Sequence, residues 1–265
     1  MYSAIILSTS FAEDEKYLIE YLRHLSNICK SVKFKYLVLP VLVFEKFEEK
    51  KKLFIQKKIA SEKIEIKPLL LINNEGKGHS SCLNYGIKNT NSKFIFRLDT
   101  DDKTNPDRII NQLDYMESKL IDISSGYMED QNGNILKYPS NFFEMGLMMA
   151  IGTNPIAHPS VCIRRESLYL SYNESLSRCE DFDLWIRYFL NGSKNIKVFK
   201  KPITKYNTDR SFQKDKENAT VQLKIRLKYI KKFILISLIL LIGIFPNILR
   251  IIFPRNFLLL LRRKL

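Results

Sequence analysis

Glycine is scarce in this chain, nine residues in 265, and none of it forms the G-x-x-x-x-G-K-[ST] run of a Walker phosphate loop. Cysteine is scarce too. Cys29, Cys82, Cys162 and Cys179 show no C-x-x-C spacing, no secretory signal peptide is evident ahead of them, and reduced cytosolic thiols are expected. A transmembrane run is also missing: the apolar stretch 233–245 falls short of the ~20 residues that cross a bilayer, and extending it to Phe253 takes in Pro246, Asn247 and Arg250. There is no internal repeat and no low-complexity linker. Most of the chain lacks a charge excess as well. Residues 1–193 carry 25 Lys+Arg against 25 Asp+Glu, so the net +15 resides in 194–265, with 18 against 3.

That polarity narrows the partners. Nucleic acid has little use for greasy surface, yet the cations of the tail bracket the apolar runs 233–245 and 257–261, a combination that suits acyl chains and anionic headgroups. Basic flanks on both sides conflict with a simple span under the positive-inside rule. Residues 216–265 are therefore expected to form basic, apolar amphipathic helices, broken near Pro246 and Pro254, that lie on or re-enter the membrane; a subunit-contact helix is the alternative. No nucleic-acid partner is expected, and the protein is placed in the cytoplasm, peripherally attached to the inner face of the cell membrane.

Ahead of the tail, β-like runs at 3–7, 36–44, 64–72 and 94–98 alternate with helical ones at 13–28, 47–60, 80–88 and 106–119. This rhythm predicts an α/β fold with a mainly parallel central sheet, whose ligands bind beyond the carboxyl ends of the strands. After the run at 121–127 the rhythm changes. Asn132-Gly133 before Ile135 signals a hairpin, followed by an apolar helix over 142–151 and a strand over 159–164. A helix over 180–191 ends at Gly192, with Phe182, Trp185, Ile186 and Phe189 as its buried stripe.

Chemistry concentrates in two acidic places. Asp99, Asp101 and Asp102 stand at the end of the 94–98 strand, where a hard divalent ion such as Mg²⁺ or Mn²⁺ takes one or two carboxylates while a substrate's phosphates fill the other positions. The alternative is a solvated turn in which Asp102 or Asn105 caps the helix at Pro106. Glu180 and Asp181 open the later helix, either as first-turn acids favoured by the dipole or as a carboxylate that takes a proton.

Four segments resemble one family in order and separation over roughly residues 70–190. Gly78-His79-Ser80-Ser81-Cys82-Leu83-Asn84-Tyr85-Gly86-Ile87 and Arg97-Leu98-Asp99-Thr100-Asp101-Asp102 with Pro106-Asp107-Arg108 resemble the donor half of a family 2 glycosyltransferase with the GT-A fold. Asn154-Pro155-Ile156-Ala157-His158-Pro159-Ser160-Val161 and Glu180-Asp181-Phe182-Asp183-Leu184-Trp185 resemble its acceptor half. The resemblance implies a Rossmann-like GT-A domain over 1–215, with a donor half at about 1–127 and an acceptor half at about 128–215, followed by the 216–265 tail. It also implies a metal-dependent, inverting transfer of sugar from a nucleoside-diphosphate sugar, a UDP-sugar by expectation, to a lipid-linked or cell-surface glycan of the capsule, exopolysaccharide or lipopolysaccharide type.

In that resemblance Asp101 is the Mn²⁺ or Mg²⁺ ligand, with Asp99 assisting it or facing the ribose. Asp102, Lys77, Gly78, Asn84, Arg97 and Ser8 belong to the donor side. Asp181 is the general base, with Glu180 beside it, and His158 and Trp185 lie in the vicinity of the acceptor and diphosphate.

Two departures from the pattern stand out. The second strand, 39–44, lacks the acid that commonly reads the base in this family, Glu45 being the nearest, and Leu7-Ser8-Thr9-Ser10 replaces the usual proline-threonine-tyrosine turn. The alternatives are a degenerate, non-catalytic scaffold at the membrane and a sugar-nucleotidyltransferase. The second is disfavoured because 9–14 has no glycine or arginine to hold a triphosphate.

Overall fold

Strand alternation sets the layers. In the computed structural model, which describes residues 2–9, 15–46, 49–150, 152–168, 171–192, 195–206 and 212–230, the first strand β1 (Tyr2–Thr9) is buried on both faces. Ala4 and Ile6 face one core with Phe94 and Phe96, and Ile5 and Leu7 face a second with Ile95. Both faces are therefore apolar, as a strand covered by helices on either side requires. The first core is closed by α1 (Glu15–Val32), α2 (Glu49–Ser61) and α4 (Pro106–Ser118), through Leu22, Leu25, Ile55 and Leu113. The second is closed by α3 (Gly78–Lys88), α6 (Glu180–Leu190) and α7 (Phe212–Ile230), through Leu83, Phe182, Trp185, Ile225 and Tyr229.

The strands β2 (Val38–Glu45), β3 (Leu69–Asn73) and β4 (Ser92–Arg97) complete a parallel block in the order β3-β2-β1-β4. Beyond β4 the expected parallel character ends. The strand β8 (Cys162–Arg164) runs antiparallel to β4 and to β6 (Ile123–Asp130), β9 (Ile196–Tyr206) returns parallel to β6, and β5 (Lys103–Thr104) pairs antiparallel with β9. The sheet is thus mixed rather than mainly parallel, with the Asn132-Gly133 hairpin present as β6 and β7 (Ile135–Leu136) and Gly133 at φ 78°.

Other boundaries shift for local reasons. The 64–72 run forms a ladder only from Leu69; Ile64 and Ile66 are buried, but Lys63 at φ 51° and Pro68 keep the segment irregular. At 159–164, Pro159 cannot donate to a ladder, so His158–Ser160 makes a 3-10 turn before the short β8. Asn105, not Asp102, caps α4, accepting from the Asp107 amide at 3.0 Å with Pro106 behind it. The helix α5 (Phe142–Ala150) packs on α6 by stacking Phe142 on Phe189.

The tail divides. Residues 216–230 continue α7, which docks on α6: the Tyr229 hydroxyl donates to Asp183 at 2.9 Å, and buried Arg226 donates to the Met149 carbonyl at 3.1 Å. The expected helices of 231–265 lie outside the described residues, as do Ser10 and most of 9–14. Among the described residues, no helix is long and apolar enough to cross a membrane.

Candidate active site

The carboxyl ends of β1, β2 and β4 meet the starts of α3 and α6. Close packing brings α3 there, since a methyl at Gly86 would stand 2.8 Å from Val43 Cγ2 and collide with Leu7. Arg97, the last residue of β4, is 2% exposed, and it organises the polar groups at this end of the sheet. It donates to the Leu98 carbonyl at 2.6 Å, forms an ion pair with Asp99 and donates to His79 Nε2 at 3.0 Å. Because a guanidinium only donates, His79 Nε2 accepts, and its Nδ1–H donates to Thr9 Oγ1 at 2.8 Å.

Charges follow from this arrangement. Burial opposes ionisation of Asp99, but the Arg97 guanidinium outweighs it and holds the carboxyl below its ordinary value; that carboxylate in turn raises Arg97 against its own burial. Burial and then Arg97 push His79 down to about 4, so the imidazole is neutral at physiological pH. Asp101 is exposed on the same loop, whereas Asp102 is buried, its amide bonded to the Asp99 carbonyl at 3.2 Å and its charge acting on buried Arg108.

On the opposite wall, Cys179 adopts a left-handed conformation at φ 60° and turns the chain into α6. Glu180 Oε1 comes to 3.6 Å from His79 Nε2. Burial, and then the Asp181 carboxylate, raise Glu180 to about 7. Asp181 points elsewhere: one oxygen accepts from the Phe182 amide at 2.8 Å and the other from Asn154 Nδ2 at 2.6 Å. The Asn154 Oδ1 atom is buried without a partner.

Several expected site residues are not in contact positions. Ser8 is fully buried, its hydroxyl bonded to Tyr21, so it faces the core under α1 rather than a donor. Asn84 is a clamp, donating to the Tyr172 carbonyl at 2.9 Å and to Glu174 at 2.7 Å while accepting from the Tyr172 amide at 2.9 Å. Trp185 is 2% exposed inside the second core and offers no open face to an acceptor. Buried His158 bonds the Tyr172 hydroxyl at 2.8 Å, and burial lowers its pKa well below the ordinary value. Arg97 acts through Asp99 and His79 rather than from the surface.

Lys77 precedes α3 in an extended conformation, and Gly78, at φ 83°, donates its amide to Glu45 Oε1 at 2.7 Å. That bond corrects the reading of the second strand, because β2 runs one residue further than its apolar pattern and ends on an acid.

Sequence reasoning gave no individual role to His79, Thr9, Asn154 or Tyr172. His79 and Asn154 lay inside the quoted segments, and a histidine beside a helix-opening glycine was the available signal; nothing in the sequence ties Thr9 or Tyr172 to them.

Two places suit a divalent ion. The loop carrying Asp99 and exposed Asp101 offers hard oxygen donors of the kind Mg²⁺ and Mn²⁺ take. Deeper, one ligand atom each from His79, His158 and Glu180 lie within 4.8 Å of one another, but Arg97 already occupies His79 Nε2 and Tyr172 meets His158. A cation there would have to displace the guanidinium, so the exposed loop fits the ion better.

The model of the family "Glycosyl transferase family 2" matches residues 6–170. An uncharacterized glycosyltransferase of Methanocaldococcus jannaschii is 31% identical over 198 residues, covering 71% of this chain and 65% of its own length. The amylovoran biosynthesis glycosyltransferase AmsE of Erwinia amylovora is 28% identical over 144 residues, 51% of this chain and 53% of its own. The chain thus spans less than two thirds of the length of these relatives. Among solved structures, the mannosyltransferase PcManGT from Pyrobaculum calidifontis, in complex with GDP-Man and Mn²⁺, superposes with a TM-score of 0.66 at 9% identity, covering 94% of this chain and 72% of that one. At that identity the likeness concerns the fold, a GT-A type mixed sheet with flanking helices.

Proposed function

This chain belongs to glycosyl transferase family 2, and from that premise we propose that it moves a sugar from a nucleoside-diphosphate sugar to a hydroxyl of a lipid-linked or cell-surface glycan, with inversion at the transferred carbon. One observation carries the reading. His79 touches Arg97 at 3.0 Å and stands 3.6 Å from Glu180, which joins the phosphate-side carboxylate network to the helix that bears the second acidic pair. The reading places the donor against the Arg97 side and the acceptor hydroxyl against the start of α6.

A divalent ion, when bound, supplies Lewis-acid neutralisation of the leaving diphosphate, with Asp101 and Asp99 as its holders. Arg97 fixes the Asp99 carboxylate, and His79 fixes Arg97. Lys77, at the start of α3, brings a cation to the phosphate side, and Glu45 anchors that turn by accepting the Gly78 amide. Asp181 takes the proton of the attacking hydroxyl, its orientation set by the Phe182 amide and Asn154. Glu180 lies between Asp181 and His79 and tunes the field of both.

In this reading residues 1–215, with α7 docked on them as far as Ile230, form the transferase domain, its donor half at about 1–127 and acceptor half at about 128–215, and the sequence from 231 onward holds the protein at the cytoplasmic face of a membrane. The 7 Lys+Arg and absence of acids in 231–265, together with its apolar runs, support the membrane partner.

The test is calorimetric titration of the purified chain with UDP, GDP, CDP and dTDP, each with and without Mn²⁺. Metal-dependent binding of one nucleotide, abolished by Asp101→Ala in a folded protein, is the expected result and names the donor class. Binding of none of them turns the reading toward a non-catalytic scaffold, and tight binding of a nucleoside triphosphate alone toward a nucleotidyltransferase.

A further inference from the structure

The helix α5 reads Phe-Phe-Glu-Met-Gly-Leu-Met-Met-Ala, almost wholly apolar, yet only part of it is covered. Met145 and Met149 are buried and Phe142 stacks on Phe189, while Phe143 is 76% and Leu147 48% exposed. Being four residues apart, those two side chains share one outward face. Gly146 lets α5 approach α6 closely, since a methyl on it would stand 3.0 Å from the Phe189 ring.

The neighbouring surface has the same character. The helix α7 is pinned to the end of α5 by the Arg226 to Met149 carbonyl bond, and its exposed residues after Ile225 and before Tyr229 are Leu227 and Lys228, with Lys224 one turn earlier. Leu227 is 49% exposed between those two lysines. The hairpin strand β7, which leads into α5, adds half-exposed Ile135 with Lys137 beside it. The one acid of α5, Glu144, sits in its first turn, where the helix dipole favours it. The described part of α7 ends at Ile230, and the 35 residues of sequence after it hold 7 Lys+Arg, no acid and two apolar runs.

We propose that the exposed face of α5, centred on Phe143 and Leu147, inserts into an anionic lipid surface beside the tail. The occupant is a bilayer rather than a second copy, because apolar side chains flanked by Lys224, Lys228 and the polycationic continuation complement acyl chains and anionic headgroups together, whereas two copies would set those cations against each other. The consequence is positional. The Thr153 amide donates to the Met148 carbonyl at 2.9 Å, and its neighbour Asn154 holds Asp181, so a lipid-linked acceptor would arrive from the side on which the acceptor wall meets the membrane. This inference rests on the membrane partner proposed above and adds the body's own contact.

The test uses the full chain carrying Phe143→Trp, whose only other tryptophan is buried Trp185, with vesicles of phosphatidylcholine and phosphatidylglycerol, the acyl chains brominated or not. Co-flotation with the vesicles and strong quenching by the brominated chains is the expected result. In the otherwise unaltered chain, Phe143→Ser with Leu147→Ser is expected to lower vesicle partition roughly tenfold, given the apolar area the pair would otherwise bury. Flotation without quenching overturns the α5 contact and leaves the tail's role standing. A concentration-dependent blue shift without lipid assigns the face to a second copy instead. Failure to float at all overturns both the membrane partner and this contact.

Discussion

The two walls of the site handle charge in opposite ways. On the donor wall of the proposed reading the central charges are paired, Arg97 answering Asp99 and neutral His79 linking Arg97 to Thr9, while Asp101 stands exposed. On the acceptor wall two adjacent carboxylates, Glu180 and Asp181, open one helix, and one of them is lifted to about 7. In the proposed reading the difference separates a pre-assembled anchor from an acidic pair that meets the attacking hydroxyl.

Breaking the acceptor wall should give the largest effect. Asp181→Asn is expected to lower transfer by about 10²–10⁴-fold, the usual weight of a general base, while nucleotide titration shows unchanged affinity. Equal loss of both would merge the two walls into one function. Breaking the anchor comes next: Arg97→Met leaves Asp99 without its cation and is expected to destabilise the fold by about 3 kcal/mol in urea denaturation, with part of that recovered in Arg97→Met, Asp99→Asn.

Glu180 sharpens the contrast through pH. Its folded pKa, raised from 4.5 to about 7, means the folded protein keeps a proton that the unfolded chain has released. Its stabilising contribution is therefore complete below about 4.5 and is lost as the pH rises through about 7. Glu180→Gln should accordingly melt higher than the parent at pH 8, by about 1–3 kcal/mol, and identically in acid. His79 works in the reverse sense, stabilising above its ordinary value and losing that contribution as the pH falls through about 4, so the parent's own profile is shallow between the two. The smallest change is Asn84→Ala, which removes the clamp on the 172–174 segment and should cost about 1–2 kcal/mol without altering nucleotide affinity.

The donor half was legible because its strands are apolar on both faces and its helices amphipathic, so period and burial agree from β1 to α4. The strand β9 was not legible. Lys197, Lys200, Lys201, Lys205 and Pro202 dominate its eleven residues, only Val198, Ile203 and Thr204 turn inward, and a bulge opposite 126–128 breaks the alternation. Its lysines also belong to the body, so the charge boundary near residue 194 is not a structural one.

Local chemistry determined the acidic loop at 98–102, the acidic start of α6, the Asn132-Gly133 hairpin and the family pattern that joins them, because each depends on residues a few positions apart. Tertiary structure alone decided which acids are balanced and which are left poised. Arg97 reaches His79 eighteen positions away, and Asn154 reaches Asp181 across twenty-seven. Ser8 and Trp185 were drawn into the core, and Asn84 became a clamp across 88 positions to Tyr172. A pKa or an orientation depends on what stands within a few ångströms in space, and the sheet's crossovers, not the order of residues, set those neighbours.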